Sequence, residues 1–490
     1  MNTRGNREVQ SEVVGRHAVV LGGSLAGLMA ARVLADHFER VTLIERDAYP
    51  DTAEVRKGIP QANHVHGLLL RGRQVLEEFF PGLQDEMIAS GVPLLDMAND
   101  IAWFTRAGWG VRFPSELKVL AFTRPVLDLH VRRRLAQNPK VEIADRMEML
   151  GLLGDPIENR VSGVLLIPRV SDVDRRIAQE VPADLVVDAT GRASRAPRWL
   201  KYLGYEPPQE TVVNAHLGYA SRLYRIPENF DGEWVCAYVQ SAPPQKRRGG
   251  ILFRVEDNRW LLTLIGGGYD YPPSDEEGFL EFAESLRDPI IADAIRNAEP
   301  VSPIRTHRAT ENRVRHFENV KNMPENFVVL GDAACAFNPV YGQGMTIASL
   351  GALTLQQCLR EQAEWEADGS EYGLSRRFQQ RLAKVNKAPW LMATGEDYRY
   401  DETEGGAPGL MTRFMHWYMD RVLQLATREV AVRSVLLQVF NLLLPPSALF
   451  RRTILFRVIR EAIKPARPAG SVRATPYHPW PLYSRQSRPS

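Results

Sequence analysis

The sequence predicts an α/β protein with three parts: a parallel-sheet nucleotide-binding domain, an antiparallel sheet interleaved with it, and a helical C-terminal region. Three observations lead there. A strand, glycine loop, helix and strand follow one another near the start of the chain. Short apolar runs ending in Asp or Gly recur at 184–191 and 327–332. Between roughly 205 and 310 the apolar residues alternate instead of running continuously. Continuous runs suit strands buried on both faces, and alternation suits strands with one wet face.

His17–Leu21 is the first apolar run, and the loop Gly22-Gly23-Ser24-Leu25-Ala26-Gly27 follows it. Ala26 to Asp36 reads as a helix, with Leu28, Ala31, Val33 and Leu34 placed to pack on a sheet. Val41–Glu45 is the next strand. Gly22 permits the tight turn, and Gly27 lets the helix sit close to the strand. Ser24 replaces the middle glycine of the dinucleotide fingerprint, but it is small enough for close backbone approach. The helix N-terminus, at Ala26 and Gly27, then faces a pyrophosphate, where free N–H groups and the helix dipole favour anions. Glu45 ends the second strand about 20 residues on, where a carboxylate accepts from ribose hydroxyls. Arg46 stands beside it and is counted with the same contacts.

Asp184–Val187 is strand-like and turns at Ala189-Thr190-Gly191, with Ser194 as a helix N-cap; Asp188 is assigned to the ligand from this segment. Phe327–Leu330 is a strand that stops at Gly331-Asp332, where the carboxylate can bond a sugar-alcohol chain. Pro339 then breaks the backbone, and Gly342 and Gly344 allow it to run flat beneath a ring. Gln343 to Leu359 has helical composition, so Gln343, Gly344 and Met345 open a helix whose positive end favours an anionic ring edge. Three such segments in this order point to FAD held along its length. The predicted fold is a Rossmann-like, FAD-binding domain of glutathione-reductase type.

Over roughly residues 15–365 the chain resembles the class A flavoprotein monooxygenases, in the squalene-epoxidase-like group that includes polyene epoxidases. The resemblance implies that the first segment binds the ADP half of FAD and that Asp332 binds the ribityl chain. It implies that Pro339, Gly342, Gln343 and Gly344 line the reactive flavin face. Arg124, in Thr123-Arg124-Pro125, resembles the arginine that opens a helix and touches the FAD phosphates or ribityl. Arg56-Lys57-Gly58-Ile59-Pro60-Gln61 with His64-Val65-His66-Gly67 resembles a segment of the polyene-epoxidase-like subgroup. Ala189-Thr190-Gly191 departs from the family's Asp-Gly pattern beside the NAD(P)H path. The implied reaction moves one oxygen atom from O₂, through a flavin C4a-hydroperoxide, into an alkene-containing apolar substrate by epoxidation or hydroxylation. NADPH or NADH is the implied transient reductant, with a separate flavin reductase as the other route. A polyketide or terpenoid substrate and a specialised-metabolism setting follow from the same resemblance. No catalytic side chain is assigned, because the flavin does the chemistry.

Composition excludes other classes. With 490 residues the chain suits two or three domains, and Lys+Arg 61 against Asp+Glu 59 gives no charge footprint for nucleic acid. Cys236, Cys335 and Cys358 have no CxxC spacing, so no disulfide scaffold or metal site is expected, and a reducing, cytoplasmic setting is. His64 and His66 form a close pair without the further ligands zinc needs. Residues 1–14 read as a disordered lead without a signal pattern, and 467–490 as a loop-like tail. The FAD domain is assigned to 15–205 and 310–400, with 60–120 partly in the substrate layer. Residues 206–309 form the substrate domain and 401–466 the helical region.

In the substrate domain Val213–Leu223, Glu233–Val239, Gly250–Val255 and Trp260–Ile265 read as strands, and Gly278–Leu286 as a helix. Trp103, Phe104, Trp109, Phe113, Tyr219, Tyr224, Trp234, Tyr238, Phe253 and Trp260 supply sheet core, with a minority available for an apolar pocket. Beyond 410, Met411, Phe414, Trp417, Tyr418, Val422 and Leu425 recur at helical spacing, as do Val435, Leu436, Val439, Leu443 and Leu444. Pro445-Pro446 interrupts them, and Arg451, Arg452, Arg457 and Arg460 follow. This region reads as a helical cap; a basic face resting peripherally on a membrane is the alternative. Three other activities remain open: a cyclase that keeps FAD as a structural part, an isoprenoid reductase, and a halogenase. The halogenase lacks support, since no Trp-x-Trp-x-x-Pro motif is present.

Overall fold

The computed structural model describes residues 14–169, 177–367 and 373–463, so the predicted tail and nearly all of the predicted lead lie outside the described residues. A five-stranded parallel sheet forms the first layer. Its order is Phe327–Val329, Leu185–Asp188, Gly15–Leu21, Phe38–Ile44 and Val141–Ala144. The helix Leu25–Leu34 packs against it with nearly every residue buried, which is why that stretch reads as apolar almost all round. The 24-residue helix Gly344–Ala367 packs on Leu25–Leu34. A second 24-residue helix, Leu374–Asp397, continues through Pro389 and carries Asp397 at its end.

The second layer is a seven-stranded sheet, which we call the roof. Its order is Arg305–His307, Gly218–Arg225, Arg259–Gly266, Arg248–Val255, Cys236–Val239, Ile101–Thr105 and Gly108–Trp109. All neighbours are antiparallel except Cys236–Val239 with Ile101–Thr105. Alternation sorts its aromatics by face. Tyr224, Trp234 and Trp260 are buried with Phe279 and Phe282, and Phe104 and Trp109 pack against that cluster. Trp103, Tyr219, Tyr238 and Phe253 face the other way.

The predicted strand Val213–Leu223 is two strands, Glu210–Val213 and Gly218–Arg225. The Asn214 side chain accepts from the His216 N–H at 2.9 Å, and His216 takes φ +49°, so the chain turns there instead of continuing. Pro446–Phe450 is a separate short 3₁₀ segment after the Pro445-Pro446 break, and the last helix starts at Arg452. Leu410–Ala426, Val430–Phe440 and Arg452–Ile463 form the C-terminal helices, packed around Tyr418, Val422, Leu436 and Val458. No helix among the described residues is long and apolar enough to cross a membrane.

Candidate active site

The three glycine-containing segments meet at the carboxyl end of the parallel sheet. Gly22, at φ +95°, has its N–H on the Ile44 carbonyl, and a Cβ there would lie 2.6 Å from the Ala189 oxygen. Gly331, at φ +63°, lies so near the first helix that a Cβ would come within 2.8 Å of that of Ala26. A Cβ on Gly27 would overlap the Gly22 carbonyl. These approaches are the reason glycine stands at each position.

At the first loop, Ser24 occupies the N-cap without capping the helix. Its hydroxyl instead accepts from Arg124 Nη2 at 2.8 Å, while Arg124 Nε donates to Asp128 at 2.8 Å. The first-turn N–H groups and a buried guanidinium thus converge on one corner, with no acidic residue in that turn. This corner suits a pyrophosphate. Glu45 accepts from the Gly23 N–H and the Asp47 N–H, both at 2.9 Å, and pairs with Arg56 at 2.7 Å. Arg56 Nη2 also donates to the Gly23 carbonyl at 2.9 Å, as does Tyr49 OH at 2.8 Å. Arg56 therefore fixes the loop and the carboxylate together, and Tyr49, which no motif flagged, locks the same turn. Arg46 stays exposed beside them.

One assignment needs correction. Asp188 is fully buried, and its oxygens accept from Thr190 N–H at 2.9 Å, Thr190 Oγ1 at 2.6 Å and Ser194 Oγ at 2.5 Å. Burial raises its carboxyl pKa, and those bonds oppose the rise. Asp188 holds its own turn and, at 0 % exposure, its side chain lies out of a ligand's reach, whereas Glu45 keeps an exposed edge. Ser194 also departs from its predicted role: Arg195 is the N-cap, although Ser194 Oγ still accepts from Ala196 N at 3.1 Å.

Asp332 is about a third exposed, 3.9 Å from Arg192 Nε. Burial raises its carboxyl pKa against the pull of Arg192, Arg124 and Arg315. A Cβ on Gly344 would face Asp332 at 3.8 Å, so the Asp332 carboxylate and the next helix start lie together. Gly342 takes φ +63° and closes the short turn Pro339–Tyr341. Asn338 anchors that turn. Its Oδ1 accepts from Tyr219 OH at 2.6 Å, and its Nδ2 donates to Asp397 at 3.2 Å. Asn312 Nδ2, at 2.6 Å, and Tyr341 OH also donate to Asp397. Burial pushes the Asp397 carboxyl up to about 7, with those donors opposing.

An apolar cavity of about 900 Å³ opens from this turn. Pro339, Gly342 and Gln343 form one wall, and Gln343 Oε1 is buried there without a partner. The roof supplies a floor in a single register row: Trp103, Tyr238, Ile251 and Thr263, with Ser221 next across. His64 closes the Ser221 end. Its Nδ1 is 2.7 Å from Ser221 Oγ, which is 2.6 Å from Thr263 Oγ1, and that oxygen accepts from Val65 N at 2.9 Å. When Thr263 donates to Ser221 and Ser221 to Nδ1, the remaining His64 proton sits on Nε2; the reversed chain puts it on Nδ1. Nε2 is buried without a partner, so a neutral imidazole presents an unused donor in the first arrangement and an unused acceptor in the second. Burial pushes His64 down to about 3 and His66 to about 4, so both are neutral at pH 7.

The other end of the row differs. Arg433, from the helix Val430–Phe440, is 0 % exposed, and none of its three side-chain nitrogens has a hydrogen-bond partner. Its guanidinium lies 5.5 Å from the Trp103 ring centroid, and it packs so tightly on Gly110 that a Cβ there would overlap it. The Trp103 indole N–H is also buried and unpaired. A desolvated cation–π contact stabilises by about 2 kcal/mol, less than the several kcal/mol an unpaired buried cation costs. Arg106, in the hairpin turn nearby, instead pairs with Glu396 and Asp420. Among the described residues no cluster of His, Cys, Asp or Glu converges as metal ligands would.

Comparison with known proteins fits this architecture. No protein-family model matches the chain. It is 35% identical to Protein Rv3254 of Mycobacterium tuberculosis, over 77% of this chain and 79% of that one. It is 26% identical to a kynurenine 3-monooxygenase of Salinispora arenicola, over 73% and 76% of the two chains. The fold matches flavin-dependent brominase Bmp2 with a TM-score of 0.62 at 13% identity, covering 91% of this chain and 100% of that one. It matches p-nitrophenol 4-monooxygenase PnpA from Pseudomonas putida DLL-E4 with a TM-score of 0.62 at 15% identity, covering 87% and 98%. The chain belongs to the family of Protein Rv3254, and its fold is the one shared by flavin-dependent monooxygenases and halogenases.

Proposed function

We propose that the protein oxygenates an extended apolar, alkene-containing molecule held in the cavity, by epoxidation or hydroxylation. One observation carries this: the turn Pro339–Gln343 and the apolar roof row line the same cavity. The residues present fit FAD. The free helix N-terminus with Arg124 suits the pyrophosphate, Glu45 a ribose, Asp332 the ribityl chain, and Gln343 Oε1 is a buried acceptor awaiting a donor. Bound there, FAD supplies two-electron chemistry and activation of O₂. The protein's part is to exclude water and aim the substrate. Apolar walls do the first. His64 Nε2–H donates to an oxygen of the bound ligand, and the Asn338–Asp397–Tyr219 network holds the turn still. NADPH or NADH is the reductant in this reading, with delivery by a partner flavin reductase as the other arrangement. Arg56–Gln61 and His64–Gly67, with their likeness to the polyene-epoxidase-like subgroup, support an alkene substrate and a place in specialised metabolism.

Leu410, Met411 and Phe414 are exposed at the start of one C-terminal helix, and Met411 also lines the cavity. An apolar substrate enters there, and peripheral contact with a membrane through this helix suits such a ligand. Halogenation is disfavoured, since a flavin-dependent halogenase uses a lysine beside the flavin and no lysine lines the cavity among the described residues. Product mass after turnover of candidate polyenes under isotopically labelled dioxygen decides the reading. One labelled atom per product is expected. Product formed without added oxygen, or formed anaerobically, replaces this reading with cyclisation or reduction.

A further inference from the structure

The molecule buries one cation beside Trp103, a residue that lines the cavity, and gives it no counter-charge. Arg433 is a cation at any physiological pH. Glu429, one turn earlier, is paired with Arg457, and Arg433 has no ion pair among the described residues. Beside it the Trp103 indole N–H also lacks an acceptor. Two donor groups and no acceptor, one of them on a residue that lines the apolar cavity and the other packed beside it, are a site for an anion. Gly110 closes one side of the guanidinium, and the fork matches a planar, two-oxygen anion approaching from the Trp103 side. The position along the row matters too. From Ser221, beside His64, to Trp103 there are four strand-to-strand steps, roughly 19 Å at the usual strand spacing. That length suits a long hydrocarbon chain with its reacting carbon at one end and its charge at the other.

We propose that Arg433 and the Trp103 indole N–H bind a carboxylate at the end of the substrate distant from the flavin turn, so that the cavity takes a long-chain unsaturated carboxylic acid. This deepens the oxygenase reading above and rests on it. The charge fixes which carbon reaches the flavin turn, because the anchored end sets the register of the chain along the row.

The test compares oleic acid, methyl oleate and sodium bromide as probes of the FAD-loaded full-length protein, with calorimetric titration as readout. Oleate is expected to bind at least tenfold more tightly than its methyl ester. In Arg433→Met the preference disappears while methyl oleate still binds. Arg433→Lys, which keeps the charge without the fork, retains part of the preference and serves if the Met variant does not fold. Equal binding of acid and ester by the unmodified protein overturns the carboxylate site but leaves the apolar-substrate reading standing. Binding of neither probe overturns both. Bromide that competes with oleate and restores acid–ester equality assigns the corner to a halide instead.

Discussion

The two ends of the ligand-binding region handle charge in opposite ways. At the dinucleotide loop, Glu45 is paired with Arg56, Arg124 with Asp128, and Asp188 with Thr190 and Ser194. Along the roof cavity, His64 Nε2, Trp103 Nε1 and Gln343 Oε1 lack partners, as does all of the Arg433 guanidinium packed beside Trp103. The first end completes its own electrostatics and presents a ligand mainly with backbone. The second presents side chains whose partners are missing from the chain. The difference teaches where recognition lies: the loop is shaped for a ligand common to many proteins, and the cavity for one particular to this one.

The loop is expected to fail abruptly when its backbone is disturbed. Gly27→Val puts side-chain atoms into the Gly22 carbonyl, so helix and strand must separate. The expected outcome is protein that is insoluble or free of flavin, read from the ratio of flavin to protein absorbance after gel filtration. Retention of full flavin content would remove the first segment from the site. The next effect is electrostatic. Glu45→Gln keeps an acceptor for Gly23 N–H but leaves Arg56 a buried cation without a counter-charge, which costs about 3–5 kcal/mol. Urea unfolding checks it. A loss below about 1 kcal/mol would show that this pair is no better compensated than Arg433.

The same contrast explains what could be read from sequence. The close approaches at Gly22, Gly27 and Gly331 were legible because a turn of this kind requires fixed residue types at fixed short spacings. The parallel strands were legible as continuous apolar runs. The cavity was not, since its floor is a register row drawn from five strands, with Trp103 more than a hundred residues before Ser221, Tyr238, Ile251 and Thr263. Each looks like ordinary sheet core in isolation. Arg433 gave a weak signal, the one charged residue in the apolar stretch Val430–Phe440. Asp397 gave none, because Pro389 obscures the helix that carries it. Asp188 was misread for the converse reason: a strand-end aspartate beside a glycine looks the same whether it serves a ligand or its own turn.

Asp397 lies between the two regions, and its pH response tests how firmly the turn is held. Its folded-state pKa of about 7 stands above the ordinary carboxyl value, so the native state holds a proton that the unfolded state releases. The stabilisation from that group is full below about pH 4 and is lost as pH rises toward 7. The loss is on the order of 2–4 kcal/mol, with no further change above. Asp397→Asn removes this slope, whatever constant offset the altered hydrogen bonds add. Urea midpoints of the two proteins at acidic and alkaline pH are expected to show the wild type losing stability relative to the variant. Parallel pH profiles would mean that the carboxyl ionises normally and that the turn is held by other groups.

The smallest effect distinguishes an unpaired donor from an unpaired acceptor at His64. In the chain Thr263–Ser221–His64 each hydroxyl has one proton to give, and Val65 N–H already occupies a lone pair of Thr263. Ser221→Ala breaks the chain. His64 Nδ1 is then left buried without a partner, at a cost of about 1–2 kcal/mol. The imidazole also loses what held its proton on Nε2, so both tautomers become populated. Nitrogen-15 NMR of labelled histidine is expected to show the Nε2–H form alone in the wild type and a mixture in the variant. A wild-type ring already protonated on Nδ1 would make Nε2 an acceptor, and the cavity would then demand a hydroxyl, rather than a carbonyl or ether oxygen, at that end of its ligand.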